Sequence, residues 1–346
     1  KISDHKISLD DAEIELDSII AKTKRYPRIV SYIAGGGLSA GSAALYTTSL
    51  PIILTAFSLG FLIAFLIDQL GRIALPSFFI QIITALSITL ISTGILWSVK
   101  HKYWTFFASI DPTIITVGGI VLLVAGMMIV GAFQDAIDEY YVTASARLLK
   151  VTMLTLGIVL GVGMGLYAAK QFGLSFVATP DRLSFSSTTY QYIGAVIISA
   201  SFALGNNLRP IGLIITGASG LLGYYTLLAM SELGLMIIPA NAVAGFVVGF
   251  IATIVSRAIH IPSQAVIDSG IVPLVPGLTL YNGLMALIAD PTSSDGTLLL
   301  LRSVLIAVSI AAGASFGVLI GRPTRRSLVL LRNSLPERPL HSNKKH

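Results

Sequence analysis

The run PTIITVGGIVLLVAGMMIVGA, Pro112–Ala132, passes directly into FQDAIDEYYVTASARLL, Phe133–Leu149. The first stretch carries no charge, whereas the second gathers Asp135, Asp138, Glu139 and Arg147 at its foot. An uncharged run of about 20 residues is long enough, as a helix, to cross a hydrocarbon core about 30 Å thick. Such windows recur along the 346 residues, which are 54% hydrophobic and 12% charged, with a mean hydropathy of +0.83. An average soluble domain is roughly 45–50% apolar and about 25% charged. The chain reads as an all-α polytopic membrane protein.

Composition also excludes several chemistries. With no cysteine, disulfides, thiol catalysis and Cys-based metal sites are ruled out. The formal charge of +6 sits largely in the two tails, which fits contact with an anionic membrane surface better than nucleic acid. A polar lead of some 27 residues precedes the first apolar run, with no cleavage pattern after it, so no signal peptide is read. The chain opens on Lys1 without Met, and an upstream segment is expected.

Ten spans are expected, at about 28–47, 51–69, 77–98, 112–133, 148–169, 189–207, 210–229, 237–256, 262–288 and 298–321. Orientation follows the bias of Lys and Arg near span ends. The loops are nearly balanced, so the tails decide: Lys22, Lys24, Arg25, Arg28, Arg322, Arg325, Arg326 and Arg332 place both termini in the cytoplasm. The 133–149 cluster then lies on the cytoplasmic side. Five segments result: a cytoplasmic amphipathic helix and lead-in (1–27), a first five-helix unit (28–169), a linker (170–188), a second five-helix unit (189–321) and a basic cytoplasmic tail (322–346). In the lead-in, Ser8 and Asp11 have capping-box spacing, and Leu9, Ile14, Leu16, Ile19 and Ile20 supply an apolar face.

The halves echo each other. GGIVLLVAG (118–126) and SGIVPLVPG (269–277) agree at six of nine positions. Gly157, Gly161 and Gly165 recur as Gly313, Gly317 and Gly321. An odd number of spans per half makes the halves antiparallel, a 5+5 inverted repeat of the kind found in secondary transporters, whose substrates bind near the midplane. Scaffolds and some channels carry inverted repeats too. The Gly-x-x-x-Gly spacing, seen also at Gly37–Gly41 and Gly245–Gly249, offers a flat face on which another helix can approach closely.

Ionisable groups at membrane depth are costly and are functional candidates. Asp135 and Asp268 are the carboxylates best placed to carry a proton. Pro273, Pro276 and Gly277 interrupt the ninth span, because proline cannot donate a backbone hydrogen bond. Freed backbone groups at that depth are tolerated only against protein or a watery cavity. Tyr281 and Asn282, one turn beyond, complete a candidate binding site; a kinked helix without a ligand would give the same pattern. In the first signature Gln134 and the small, hydroxyl-rich Thr143–Arg147 stretch allow close packing. Arg147 can pair with Asp135 or with a substrate carboxylate through its planar fork.

Two enzyme-like strings carry little weight. GLSAG (37–41) matches a nucleophile elbow, but that motif needs a strand-to-helix turn. GASG (217–220) lacks a histidine base within any span. Both read as packing glycines, no enzyme is expected, and no phosphate-cradling loop suggests ATP drive.

LPSFF (75–79), GGIVLLVAGMMIVGAFQDAI (118–137), VTASARLL (142–149) and IVPLVPGLTLYNGL (271–284) together resemble the threonine/serine exporter family. The resemblance implies a cytoplasmic-membrane secondary exporter of small hydroxy amino acids, driven by the proton motive force without a cofactor. It places Gln134, Asp135, Thr143, Ser145 and Arg147 in one signature and Pro273, Pro276, Gly277 and Tyr281 in the other. Family members usually carry a longer cytosolic region before the first span. The expected partners are an amino acid, protons and membrane lipids, with no nucleic acid; a homo-oligomer stays open. A dicarboxylate exporter on the same scaffold, or a passive channel, is the alternative.

Overall fold

The computed structural model describes residues 26–100, 112–123, 126–171, 185–258, 261–290 and 292–334. The amphipathic lead-in, most of the 170–188 connection and the end of the basic tail lie outside them. Among the described residues the regular structure is entirely helical. The helices are α1 (Arg28–Ala44), α2 (Leu50–Arg72), α3 (Ser77–Lys100), α4 (Pro112–Leu123), α5 (Gly126–Ile137) and α6 (Tyr141–Gln171). They continue with α7 (Thr188–Gly205), α8 (Pro210–Glu232), α9 (Ile237–Ala258), α10 (Ser263–Ile271), a 3-10 turn (Val272–Leu274), α11 (Gly277–Ala289) and α12 (Ser294–Ser334).

Six helical stretches are long and apolar enough to cross a membrane: Leu50–Arg72, Ser77–Ser98, Tyr141–Gln171, Pro210–Glu232, Ile237–Ser256 and Ser294–Arg322. Ser263–Leu274 and Thr279–Leu287 reach that length only together, bent by 56° at the break, as one broken span or a re-entrant loop. The expected first span is shorter than its apolar stretch suggested: α1 has 17 residues, about 26 Å at 1.5 Å per residue. The expected 112–133 span comprises α4 and most of α5, each 12 residues long. The helix expected to end near 321 runs on through the basic stretch to Ser334.

Four turns between helices share one device. Ala74, Glu139, Asn207 and Gly234 have φ of 54°, 68°, 58° and 89°. In each case the next residue's N–H reaches back five positions, as from Tyr140 to Asp135 O at 2.7 Å and from Leu208 to Ala203 O at 3.1 Å. This left-handed C-terminal cap satisfies carbonyls that would otherwise be orphaned. Only one of the four positions is glycine.

The repeated glycines make the tightest seams. A Cβ at Gly161 would meet Ile82 O and Ala85 Cβ, and one at Gly165 would meet Thr89, so α6 lies directly on α3. In the second half, a Cβ at Gly313 would strike Ala242 O, one at Gly317 Phe246 O, and one at Gly321 Thr253, so α12 lies on α9 in the same way. Gly245 and Gly249 face back from α9 onto Ile310 O and Ala314 O. The Gly-x-x-x-Gly reading therefore holds at backbone contact distance. Buried hydroxyls along these helices, including Thr89, Thr93 and Thr253, donate to the carbonyl four residues earlier, which removes their need for water.

Two apolar cores result. One is built mainly of first-half residues such as Ile63, Ile88, Ile115 and Val162, but it receives Tyr281 from α11. The other centres on Val248, Ile267, Ile271 and Ile310, and takes in Ile129 and Val130 of α5 with Val151 and Leu154 of α6. Residues of α5 and α11 thus each pack in a core built mainly from the other end of the chain. Outside, Leu54, Phe65, Met164 and Ile214 are exposed, as a lipid-facing surface requires.

Candidate functional site

Glu139, in the left-handed conformation, ends α5 and turns the chain at once into α6. The two helices form a hairpin that brings Arg147 back against Asp135: Nε lies 3.1 Å from Oδ2. Gly131, one turn before Asp135, makes room, since a Cβ there would sit 2.9 Å from Arg147 Nη1. The Asp135 side chain is 20% exposed and that of Arg147 47%. Asp135 Oδ2 accepts no well-directed hydrogen bond, so the pair is held by charge and leaves the carboxylate free to take another donor.

On α10, Gln264 and Asp268 are four residues apart and share a face. Gln264 Nε2 donates to Asp268 Oδ1 at 2.7 Å and to Gln134 Oε1 on α5 at 3.2 Å. The two N–H groups of one amide thereby tie α5 to α10. Gln134 is buried, and its amide oxygen is a direct polar link from α5 to α10.

These residues line one open cavity of about 960 Å³ between α5, α6, α10 and α12. Its walls hold three carboxylates, Asp135, Asp138 and Asp268, and three cations, Arg147, Lys150 and Arg322. Arg147–Asp135 is the one ion pair among these six groups. Lys150 and Arg322 face the space without a carboxylate within ion-pair distance among the described residues.

A second, smaller cavity of about 160 Å³ lies beyond the break in the helix. Pro273, Pro276 and Gly277 line it, with Ser42, Tyr46, Tyr224, Asn241 and Thr279. Pro273 has no N–H for the carbonyl of Ser269, and α11 begins afresh at Gly277. The broken helix thus contributes to both spaces: residues 263–268 to the large cavity, residues 272–277 to the small one.

The remaining candidates lie elsewhere. Thr143 and Ser145 are on the exposed outer side of the first turn of α6, with Ser145 Oγ donating to Val142 O at 2.9 Å. Tyr281 is buried in the first apolar core and lines neither cavity. Asn282 also lines neither cavity, although its Oδ1 is buried without a partner. Gln264, Ser263, Lys150, Ser315 and Arg322 were not among the expected site residues, yet they line the large cavity. The spacing of Gln264 and Asp268 was the available signal, four residues apart at the start of a span.

The enzyme-like strings are seams. A Cβ at Gly41 would meet Gly194 O at 3.0 Å, and one at Gly220 would overlap Ser199. Ser39 Oγ and Ser219 Oγ are buried without hydrogen bonds among the described residues.

Two family models match the chain. Residues 1–168 match one family model of threonine/serine exporters, and residues 191–320 match a second, described as "Threonine/Serine exporter, ThrE". The chain is 31% identical to the "Threonine/serine exporter" of Corynebacterium glutamicum over 322 residues, covering 92% of this chain and 63% of that protein. It is 28% identical over 337 residues to the "Probable threonine/serine exporter" of Mycobacterium tuberculosis, covering 94% of this chain and 61% of that one. The chain thus spans about three-fifths of the length of the curated relatives it matches. No solved structure matches it.

Proposed function

Because the chain belongs to the threonine/serine exporter family, we propose that it exports small hydroxy amino acids across the cytoplasmic membrane, coupled to the proton motive force by alternating access. The observation that carries this reading is the large cavity, where the Asp135–Arg147 pair and the Gln134–Gln264–Asp268 chain meet at the foot of a broken helix.

The reading takes the chain as ten membrane-crossing elements in two inverted five-helix units, 28–169 and 189–321. Support comes from register. Helices α5 and α11 restart at Gly126 and Gly277, 151 positions apart, which is the offset of the nine-residue echo. The glycine triplets, 156 apart, meet their partner helices at Phe78 and Ala242, Ile82 and Phe246, and Thr89 and Thr253, each 164 apart. With both termini cytoplasmic, the large cavity opens inward and the small one lies toward the outside. The two spaces on either side of one broken helix are the arrangement that rocking of the units would open alternately.

In this mechanism Asp135 or Asp268 exchanges the proton. Protonating Asp268 removes the charge that strengthens its bond from Gln264 and adds an O–H donor, so the Gln264 amide, which also bonds Gln134, is held less firmly. The proton is thereby linked to the contact between the units. Arg147 holds Asp135 while the site is empty and takes the substrate carboxylate when it enters.

The test is reconstitution in proteoliposomes with labelled threonine, serine and succinate, with and without an imposed pH gradient. Gradient-driven threonine efflux is expected in the wild type and its loss in Asp135→Asn or Asp268→Asn. Full gradient-driven transport in both variants would eliminate the proton role of these carboxylates. A dicarboxylate substrate is the second reading, favoured by the unpaired Lys150 and Arg322 on the large cavity; succinate transport without threonine transport would establish it.

A further inference from the structure

The small cavity has a feature that packing does not explain. Asn241, on the first turn of α9, is only 2% exposed. Its Nδ2 donates to Ile237 O at 2.7 Å, which fixes the amide orientation. Its Oδ1 is therefore directed away from that bond, and it is buried with no partner. Buried acceptors are almost always satisfied, and this one belongs to a side chain that lines an empty space.

The opposite wall is the start of α11. Its 13 residues follow Pro276; the Gly277 N–H turns back to Val275 O at 2.8 Å, and the next two amides have no acceptor within the helix. Together with the helix dipole they favour an anionic group. Among the described residues no charged side chain lines the cavity. A ligand with net charge would be desolvated there without a counter-charge, whereas in a zwitterion each charged group is partly compensated by the other and by the polar groups that receive it. The volume of about 160 Å³ is far smaller than that of the large cavity and suits a small ligand.

We propose that this cavity is a binding station for a net-neutral, zwitterionic small α-amino acid, with its carboxylate at the N-terminus of α11 and its ammonium on Asn241 Oδ1. The station rests on the exporter reading for its place in a transport cycle, and it adds a selection rule: the outer space takes zwitterions and rejects dicarboxylates.

The cysteine-free chain allows a direct test. Thr279→Cys places one thiol on the cavity wall. Its modification by a small methanethiosulfonate reagent is followed in proteoliposomes with threonine, serine or succinate present. Threonine and serine are expected to slow labelling and succinate is not. Asn241→Leu in this background should weaken protection by about tenfold or more, the loss of one hydrogen bond to a charged group. Should Asn241→Leu fail to fold, Asn241→Asp is decisive. It adds a charge beside the ammonium and should let threoninol, which lacks the carboxylate, protect about tenfold better than in the Thr279→Cys parent. Protection by succinate equal to that by threonine, or unchanged protection in the Asn241 variants, overturns the station, leaving a bound water as the partner of Oδ1. Transport measured in the same vesicles separates the two ideas. Threonine export without protection retains the exporter and removes the station, whereas protection without export does the reverse.

Discussion

Gly161 and Gly163 stand two residues apart in α6 and face opposite surroundings. Replacing each by alanine therefore isolates the energy of the α3–α6 seam. In a helix interior alanine is favoured over glycine by about 0.8–1.0 kcal/mol, a gain common to both variants. At Gly163 the new Cβ has nothing within 4 Å, so that gain is expected in full. At Gly161 it would lie 2.8 Å from Ala85 Cβ and 3.0 Å from Leu86 N, and closer still to Ile82 O. Carbon atoms pack best at about 3.5–4.0 Å, so α3 must retreat by roughly 1 Å at that level. A gap of that size forfeits about a quarter to a half of the attraction at each neighbouring contact. Overpacking of this kind costs about 1–3 kcal/mol, which is the expected difference between the two variants, or roughly 5- to 150-fold in the unfolding equilibrium. Titration of the purified protein with a denaturing detergent, followed by far-UV circular dichroism, measures it. Gly163→Ala should shift the midpoint upward, and Gly161→Ala should fall below Gly163→Ala by that margin. Equal midpoints would refute the claim that backbone contact, rather than glycine's presence in the helix, sets this seam.

Two further outcomes are expected. Ala74→Gly should stabilise the protein by about 0.5–1 kcal/mol in the same titration, because Ala74 sits at φ 54°, where a Cβ is strained; no gain would refute the left-handed cap. Asp290 accepts from the hydroxyl and the backbone N–H of Thr292 at 2.7 and 2.9 Å, and these bonds hold its pKa below the ordinary carboxylate value, the side-chain bond most strongly. A depressed folded-state pKa contributes stability that is complete above the unfolded value of about 4 and disappears as pH falls through the folded value. Thr292→Val should therefore lower stability near neutrality and match the wild type once both carboxyls are protonated; a gap that persists in acid would refute the assignment.

Membrane class, helix content and the break at Pro273–Gly277 were legible in the sequence because each follows from local chemistry. Uncharged windows of span length, and prolines without an N–H, act on their own few residues. The glycine seams were legible as spacing, although not their partners: nothing in Gly161 names Ile82. The turns at Ala74, Glu139 and Asn207 were not legible, because a bulky residue in the left-handed region is imposed by the helices it joins.

At the site, the meeting of Gln134, Asp135, Arg147 and Asp268 was foreseeable only as a list. Motif membership ranked Thr143, Ser145 and Tyr281 equally with them, but the first two are exposed near the start of α6 and line neither cavity, and Tyr281 is in the apolar core. Gln264, Lys150, Arg322 and Asn241 lay in no motif and entered through the crossing of α5, α10 and α12. Hydropathy and backbone chemistry act along the chain and can be read from residue order. Which side chains face a shared cavity depends on the rotation and crossing of packed helices, and only the tertiary contacts determine those.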